Sequence, residues 1–312
     1  MERGIRTSLT RPVMPRKITV CCGGRSGVRP GRASQGRARA LALDQRRREA
    51  HPSFSTSRRG RFGDNLALSP DRLPLYEDRD VATGYGVAMK LLLTDSGVRN
   101  ASILAALVDL LGKPIAEASA LCIPTAGYGG PYGDPVLPWR FISGRSSNPM
   151  TELGWKSVGA LELTALPSID EERWVSWVRE ADALLVNGGD TLYLCHWMRE
   201  SGLAGLLPSL PDTVYVGLSA GSMVLTPRIG EDFVRWKPPT DSDSMLGVVD
   251  FSIFPHLDSP DRPDKTIAEA ERWAAGIKGP AYAIDAQTAI KVTGGSVEVI
   301  SEGHWKLFNP AR

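Results

Sequence analysis

The stretch Val214-Tyr215-Val216-Gly217-Leu218-Ser219-Ala220-Gly221-Ser222 decides the fold of this chain. It begins as a short apolar run of β-branched and aromatic residues, which predicts a buried strand. The Gly-x-Ser-x-Gly pattern that follows permits a sharp turn from a strand into a helix and projects the serine hydroxyl. Such a serine is typical of a hydrolase nucleophile; the alternative is a glycine-rich turn with a serine helix cap. We expect Ser219 to be a nucleophile.

Strands and helices alternate on both sides of this stretch. Apolar runs predict further strands at residues 90–95, 118–125, 160–166 and 183–186, and apolar periodicity predicts helices at 100–111, 169–180 and 192–201. A helix is also expected to begin at Ser219 and to end near Asp232. Strands that are apolar throughout and alternate with helices indicate a mostly parallel sheet covered on both faces. The predicted fold class is therefore α/β, a three-layer α/β/α sandwich, with a small antiparallel element at residues 281–308.

The first part of the chain differs in composition from the rest. Residues 1–62 hold 16 of the 37 Lys and Arg, which leaves 21 basic against 32 acidic residues in 63–312. We expect residues 1–85 to be a basic tail, either disordered or not natively translated, because apolar periodicity is nearly absent there. Met89 opens the first convincing strand, so residues 86–312 are expected to form the functional domain.

Composition excludes several classes of function. The acidic domain offers no electrostatic case for binding nucleic acid, and no run approaches the roughly 20 apolar residues that span a bilayer. The four cysteines show no metal-ligand spacing. We expect a cytoplasmic protein, a monomer or small homo-oligomer, with no metal, no cofactor and no nucleic-acid or membrane partner.

A serine nucleophile needs a base, and the chain has four histidines. His51 lies in the tail, His304 in the terminal hairpin region and His196 in the middle of a predicted helix. His256 directly follows the apolar run 250–254, at the end of a strand, where the catalytic groups of open parallel sheets gather. His256 is the expected base by elimination; packing or a turn hydrogen bond is the alternative.

The base in turn needs an acid, and the transition state needs an oxyanion hole. Between Ser219 and His256 the preferred acid is Asp232, with Glu231 as its immediate competitor. The N–H of Ala220, just after the nucleophile, is one candidate oxyanion donor. The other is the N–H of Gly189 in the neighbouring turn Asn187-Gly188-Gly189-Asp190-Thr191. In the alternative, that turn is a simple loop capped by Asp190.

Three motifs together resemble the peptidase E group of serine peptidases, which also includes cyanophycinase. They are the turn 187–191, the turn 217–222 and Pro255-His256, in this order and at these spacings, and the likeness extends over residues 89–310. The resemblance implies a fold similar to class I glutamine amidotransferases, with serine in place of their cysteine. It also implies the roles of Ser219, His256, Gly189 and Ala220 given above, and Asp232 as the acid if a two-residue shift is allowed.

The resemblance further implies a substrate. Members such as peptidase E release an N-terminal aspartate from short peptides without a metal, so a small peptide of this kind is the expected substrate. The family arginine that meets the substrate aspartate lies downstream of the histidine, where Arg262 and Arg272 are the candidates. Asp190 stands where the family commonly has Asn, and we expect it to affect how the substrate amino group is held.

Two other functions remain open from the sequence. An esterase of the α/β-hydrolase class shares the elbow and the order of the triad, but 37 residues between Ser219 and His256 are few for that fold, and no His-Gly-Gly-Gly loop precedes the serine. A non-catalytic binding module on an amidotransferase-like fold would need no pairing of Ser219 with His256.

Overall fold

A computed structural model describes residues 89–236 and 242–310, all of which belong to one compact unit, Asp80–Arg312. The predicted tail, residues 1–85, lies outside the described residues. The strands are β1 Lys90–Thr94, β2 Ser119–Ile123, β3 Ser157–Ala160, β4 Ala183–Val186, β5 Val214–Leu218, β6 Ser252–Phe254, β7 Ala281–Ile284, β8 Thr288–Thr293, β9 Ser296–Ser301 and β10 Trp305–Phe308. The α-helices are α1 Ala101–Leu111, α2 Val136–Ile142, α3 Glu171–Glu180, α4 Thr191–Glu200, α5 Leu203–Leu206, α6 Ala220–Met223 and α7 Ile267–Ala275.

A seven-stranded sheet forms the centre of the fold, in the order β3-β2-β4-β5-β1-β8-β9. Strands β3, β2, β4, β5 and β1 are parallel, whereas β8 runs antiparallel to β1 and β9 antiparallel to β8. Thr94, at the end of β1, is the register partner of Leu218, at the end of β5. The carboxyl ends of β1, β4 and β5 therefore meet at one edge of the sheet.

The sheet is covered on both faces, because successive side chains of a strand point to opposite sides. On β1, Leu92 packs in a core with residues of α1, and Leu91 and Leu93 pack in a separate core with residues of α3 and α4. Helix α1 supplies Ile103, Ala106, Leu107 and Leu110 to the first core. The predicted three-layer α/β/α fold is confirmed.

The C-terminal region is more mixed than predicted. Strands β8 and β9 extend the large sheet as an antiparallel hairpin, and β10, β7 and β6 form a separate three-stranded sheet. In the small sheet β10 pairs antiparallel with β7, but β6 pairs parallel with β7. This parallel pairing fixes the end of β6, from which His256 follows.

Two predicted elements are wrong in extent. The third strand is Ser157–Ala160, and most of the predicted range 160–166 belongs to a 3₁₀ helix at Leu163–Ser168. Its apolar residues, Leu163 and Leu166, are spaced by three, which suits a helical turn as well as a strand. The helix after Ser219 has only four residues and ends at Met223, far short of Asp232.

Candidate functional site

Ser219 lies in a tight turn between β5 and α6. Its backbone has φ 48° and ψ −106°, which L-residues other than glycine rarely adopt. A Cβ atom at Gly217 would lie 2.6 Å from the carbonyl oxygen of Gly221, and one at Gly221 would overlap the carbonyl of Val186. Both glycines of the pattern are thus required by packing. The Ser219 N–H donates to the Thr94 carbonyl oxygen on β1 at 3.0 Å.

His256 lies against this serine. It follows β6 with φ 65°, another disfavoured backbone conformation, and its Nε2 is 2.9 Å from Ser219 Oγ. The side chain is half-buried, with 25% of its surface exposed. The predicted pair Ser219 and His256, 37 residues apart in the chain, is therefore brought to hydrogen-bonding distance, as a general base and its nucleophile require.

The carboxylate beside His256 is Asp95, which the sequence analysis missed. His256 Nδ1 lies 3.1 Å from Asp95 Oδ1, and the His256 backbone N–H donates to the same oxygen at 2.5 Å. The Ser96 hydroxyl donates to Asp95 Oδ2 at 2.7 Å, and Asp95 is fully buried. Asp95 directly follows β1, so its place at a strand end was the available signal. Asp95 was missed because the candidate acids were taken only from the residues between Ser219 and His256.

The predicted acids Asp232 and Glu231 are therefore corrected. Both are exposed on a short 3₁₀ helix, Glu231–Phe233, and neither forms a hydrogen bond or ion pair with His256. The prediction relied on a helix running from Ser219 to Asp232. Because α6 ends at Met223, the chain leaves the strand ends before it reaches these carboxylates.

The second glycine turn adjoins the serine, as predicted. A Cβ atom at Gly188 would lie 3.4 Å from Ser219 Cβ, and Gly189 has φ 145°, which suits glycine. The N–H groups of Gly189 and Ala220 donate to no acceptor in the described part of the chain. Two unpaired donors near a serine hydroxyl are the parts from which an oxyanion hole is built.

Asp190 caps helix α4 in this turn. Its Oδ1 accepts from the Tyr193 N–H at 2.9 Å, and its Oδ2 accepts from the Trp236 N–H at 3.1 Å. Burial raises the pKa of the Asp190 carboxyl above its usual value, although these N–H groups oppose the shift. The capping alternative is thus observed, and an effect of Asp190 on substrate stays a prediction.

The two candidate arginines are both exposed. Arg272 pairs with Glu269 on the surface of α7. Arg262 belongs to the loop that joins His256 to α7, where its N–H bonds to the Ser259 carbonyl at 3.0 Å. Neither of these bonds involves Ser219 or His256. The role of Arg262 and Arg272 in binding the substrate therefore stays a prediction.

Lys265, in the same loop, is a cation that the sequence analysis missed. Only 6% of its surface is exposed, and its Nζ lies 4.0 Å from the ring centroid of Phe233 and 4.8 Å from that of Phe254. Burial lowers the pKa of its ammonium group; the positive charges of Arg235 and Arg262 act in the same direction, whereas the negative charges of Asp264 and Asp232 oppose the shift. Among the described residues no carboxylate forms an ion pair with it. A mostly buried cation without an ion pair is costly, and here the carboxylates of Asp264 and Asp232 offset part of that cost through their charge.

The described ranges contain no group of three or more His, Cys, Asp or Glu side chains that could hold a metal ion. Within the same ranges, no helix has the length and apolar character needed to cross a membrane.

Comparison with known proteins gives one family. Residues 91–300 match Peptidase family S51. Peptidase E of Shewanella denitrificans is 25% identical over 230 residues, which cover 70% of this chain and 90% of that protein. Among solved structures, a peptidase from an acI-B1 Actinobacterium aligns with a TM-score of 0.50 and 18% identity, covering 72% of this chain and 95% of that one. The structural likeness concerns the fold, and the family match covers the three motifs.

Proposed function

Because the chain belongs to peptidase family S51 and is a serine-type peptidase, we propose that it hydrolyses short peptides through an acyl-enzyme formed on Ser219. The preferred substrates are dipeptides with an N-terminal aspartate. The observation that carries this proposal is the distance of 2.9 Å between Ser219 Oγ and His256 Nε2, both on strained turns at strand ends. Strained residues brought together at the ends of strands are typical of functional sites.

In the proposed mechanism the His256 Nε2 accepts the proton of the Ser219 hydroxyl as Oγ attacks the carbonyl carbon of the scissile peptide bond. The N–H groups of Gly189 and Ala220 stabilise the negative oxygen of the tetrahedral intermediate. The intermediate collapses to an ester on Ser219, and His256 returns the proton to the leaving amine. Water, activated by the same imidazole, then hydrolyses the ester and regenerates the serine hydroxyl.

Preference for an acidic N-terminal residue is supported by the cations around the loop after His256. Lys265 forms no ion pair among the described residues, and the positive charges of Arg235 and Arg262 act on it together with the negative charges of Asp264 and Asp232. A substrate carboxylate would neutralise part of this positive charge. We assign the recognition of the substrate side chain to Lys265 and Arg262, and not to Arg272, which is paired with Glu269.

The test compares variants on a panel of dipeptides that differ in the N-terminal residue. The Ser219→Ala variant should lose hydrolysis of Asp-X dipeptides by a factor of about 10³ or more while it keeps its melting temperature, because only the nucleophilic oxygen is removed. Unchanged turnover in Ser219→Ala would refute the proposal. Turnover of other dipeptides in preference to Asp-X would refute only the substrate assignment.

Labelling with a fluorophosphonate, which phosphorylates an activated serine oxygen with loss of fluoride, gives a readout that does not depend on the substrate. Labelling should be lost in Ser219→Ala and in His256→Ala. His304→Ala is the matched control, because that histidine is exposed and its backbone, not its ring, bonds to Asp285. Absence of both labelling and peptide hydrolysis in the wild-type protein would favour a non-catalytic binding module.

A further inference from the structure

We propose that Asp95 is the positioning residue of this site: its carboxylate fixes the tautomer and the backbone of His256 and balances the charge of the imidazolium formed during catalysis. This inference rests on the proposed function and deepens it. It assigns the third member of the site to the residue that follows β1, 161 positions from the histidine and outside the segment that joins Ser219 to His256.

A single oxygen of Asp95 faces two groups of His256. Oδ1 lies 3.1 Å from the ring Nδ1 and accepts the backbone N–H at 2.5 Å. A carboxylate can only accept, so the hydrogen of the neutral ring is held on Nδ1. The lone pair is then left on Nε2, the atom that lies 2.9 Å from Ser219 Oγ. The backbone bond also supports the left-handed conformation of His256, which this residue type disfavours.

The charge of Asp95 has one evident partner. The residue is fully buried, and of the Lys, Arg and His side chains described, only His256 lies within ion-pair distance of it. Two donors, the His256 backbone N–H and the Ser96 hydroxyl, replace water around the carboxylate, and the ring Nδ1 of His256 lies 3.1 Å from it. When the ring takes the serine proton it becomes the cation that a buried carboxylate favours.

Other carboxylates near the histidine are otherwise engaged. Asp285 follows β7, the neighbour of β6, but its Oδ1 accepts from the Gln287 N–H and the Thr288 hydroxyl, and its Oδ2 accepts from the His304 N–H. Asp258 is exposed on the turn after the histidine. Of the carboxylates described, only Asp95 meets the ring of His256.

Strand β1 also supports the nucleophile, which explains why its end can hold both groups in register. The Thr94 carbonyl oxygen accepts the Ser219 N–H at 3.0 Å and the Ser222 hydroxyl at 2.7 Å. Asp95 is the next residue. The serine turn and the histidine turn are thus fixed to two adjacent residues, the last of β1 and the one after it.

The experiment replaces Asp95 by Asn, which has the same shape without the charge. For Asp95→Asn we expect kcat/KM to fall about 100-fold or more with little change in KM, and fluorophosphonate labelling to slow in parallel. The acid limb of the pH profile of kcat/KM should move to lower pH, because the imidazolium loses a neighbouring negative charge. A purely structural role would not move this limb. The control is Asp250→Asn, an exposed carboxylate before β6, which should behave as the wild type.

The outcomes separate two failures. A wild-type enzyme that is active and an Asp95→Asn variant that stays within threefold of it, with an unmoved pH profile, would overturn the role of Asp95 alone. Loss of activity in Asp232→Asn instead would restore the acid predicted from the sequence. A wild-type protein that neither cleaves peptides nor reacts with the fluorophosphonate would overturn the proposed function, and this inference with it.

A measurement on the unaltered protein covers the case in which Asp95→Asn fails to fold. In protein with ¹⁵N-labelled histidine, NMR at neutral pH should show His256 with its hydrogen on Nδ1 and an unprotonated Nε2. The His256→Ala variant assigns the signal by its disappearance. The opposite tautomer would contradict the proposal.

Discussion

Ser219 and His256 both have positive φ angles, 48° and 65°, in a chain where most such angles are found at glycine. Each conformation costs of the order of 1–3 kcal/mol. Two hydrogen bonds offset part of this cost: the Ser219 N–H donates to the Thr94 carbonyl oxygen at the end of β1, and the His256 N–H donates to the side-chain carboxylate of Asp95, the next residue. The Ser219 turn is thus held by a main-chain acceptor, whereas the His256 turn depends on the side chain of Asp95.

Gly217 is the residue at which this turn is most sensitive. In Gly217→Ala the new methyl group would meet main-chain atoms of Gly221 and Ser222 at 2.6–2.7 Å, and backbone cannot move aside cheaply. We expect a loss of about 1–3 kcal/mol of stability and a larger proportional loss of activity, because relief of the overlap displaces Ser219. Thermal unfolding and dipeptide hydrolysis measure the two effects.

Gly205→Ala is the matched control for this prediction. Gly205 lies exposed in α5, and a methyl group there would meet nothing within 4 Å. This variant should be as stable as the wild type or slightly more so, because alanine favours the helix. Equal behaviour of the two variants would contradict the packing argument for Gly217.

At the residue scale the sequence identified the pair Ser219 and His256 but not Asp95. The serine carries a pattern whose spacing encodes a local turn, and four histidines leave little choice of base. Asp95 carries no local pattern, because its contact with His256 arises only when β1 is inserted beside β5. Such a contact depends on strand order, which single-sequence periodicity does not contain.

At the scale of elements, the loop between β6 and α7 combines strain with a mostly buried charge. Burial holds the pKa of Lys265 below its usual value in the folded state. Between this lowered pKa and 10.5 the unfolded chain binds more protons, so the free energy of unfolding rises with pH in that window. Below the window the charged lysine lowers stability, although the rings of Phe233 and Phe254 compensate in part.

Lys265→Met tests both the cost and the proposed use of this charge. The variant should melt a few degrees higher at neutral pH, and the difference from the wild type should shrink as pH approaches 10.5, because the wild-type lysine loses its charge. Hydrolysis of Asp-X dipeptides should fall at least about tenfold, with a smaller loss for uncharged N-terminal residues.

The control for this substitution is Lys278→Met, since Lys278 is exposed after α7. It should change neither the melting temperature nor the preference for Asp-X. If Lys265→Met keeps the full preference for Asp-X, the substrate carboxylate is recognised by another residue. The higher melting temperature of the variant would then be the only effect of removing this charge.

Element boundaries were predicted well where apolar periodicity was strong and poorly where a turn residue decides them. Helix α6 stops at Met223, and Pro227 lies four residues further on. Proline disfavours helical backbone in the residue before it, here Thr226, so the sequence did contain a signal against a long helix. The same signal, read in advance, would have removed Asp232 from the candidate acids.

At the scale of the whole molecule, the described residues form a closed layered core. Strand β1 lies between β5 and β8 in the middle of the large sheet, and Met89 before it is buried. We predict that a chain beginning at Gly86 keeps the melting temperature and peptidase activity of the full chain. Thermal unfolding and kcat/KM of both proteins check this.

A large drop in either quantity on removal of residues 1–85 would show that this segment takes part in the fold or in the site. A change in apparent size alone, measured by light scattering, would assign it a role in assembly. The composition of the segment predicts neither effect, since its basic residues lack apolar periodicity.

The architecture as a whole was open to prediction because its strands are apolar throughout and alternate with helices. The parallel pairing of β6 with β7 could not be predicted, because the sequences of two short strands separated by α7 do not indicate whether the strands pair parallel or antiparallel. That pairing sets where His256 emerges. The position of the base was therefore predicted by elimination, and its geometry required the tertiary structure.

The support of both Ser219 and His256 by Thr94 and Asp95, at the end of β1, has a consequence for how this enzyme is inactivated. The supporting bonds run to the Thr94 carbonyl oxygen and to the adjacent carboxylate, on a strand enclosed by two neighbours. If heat or denaturant loosens the centre of the sheet, serine and histidine lose their alignment in one step. Catalytic turnover is then expected to report on the integrity of this interior strand and to survive damage confined to the sheet edges.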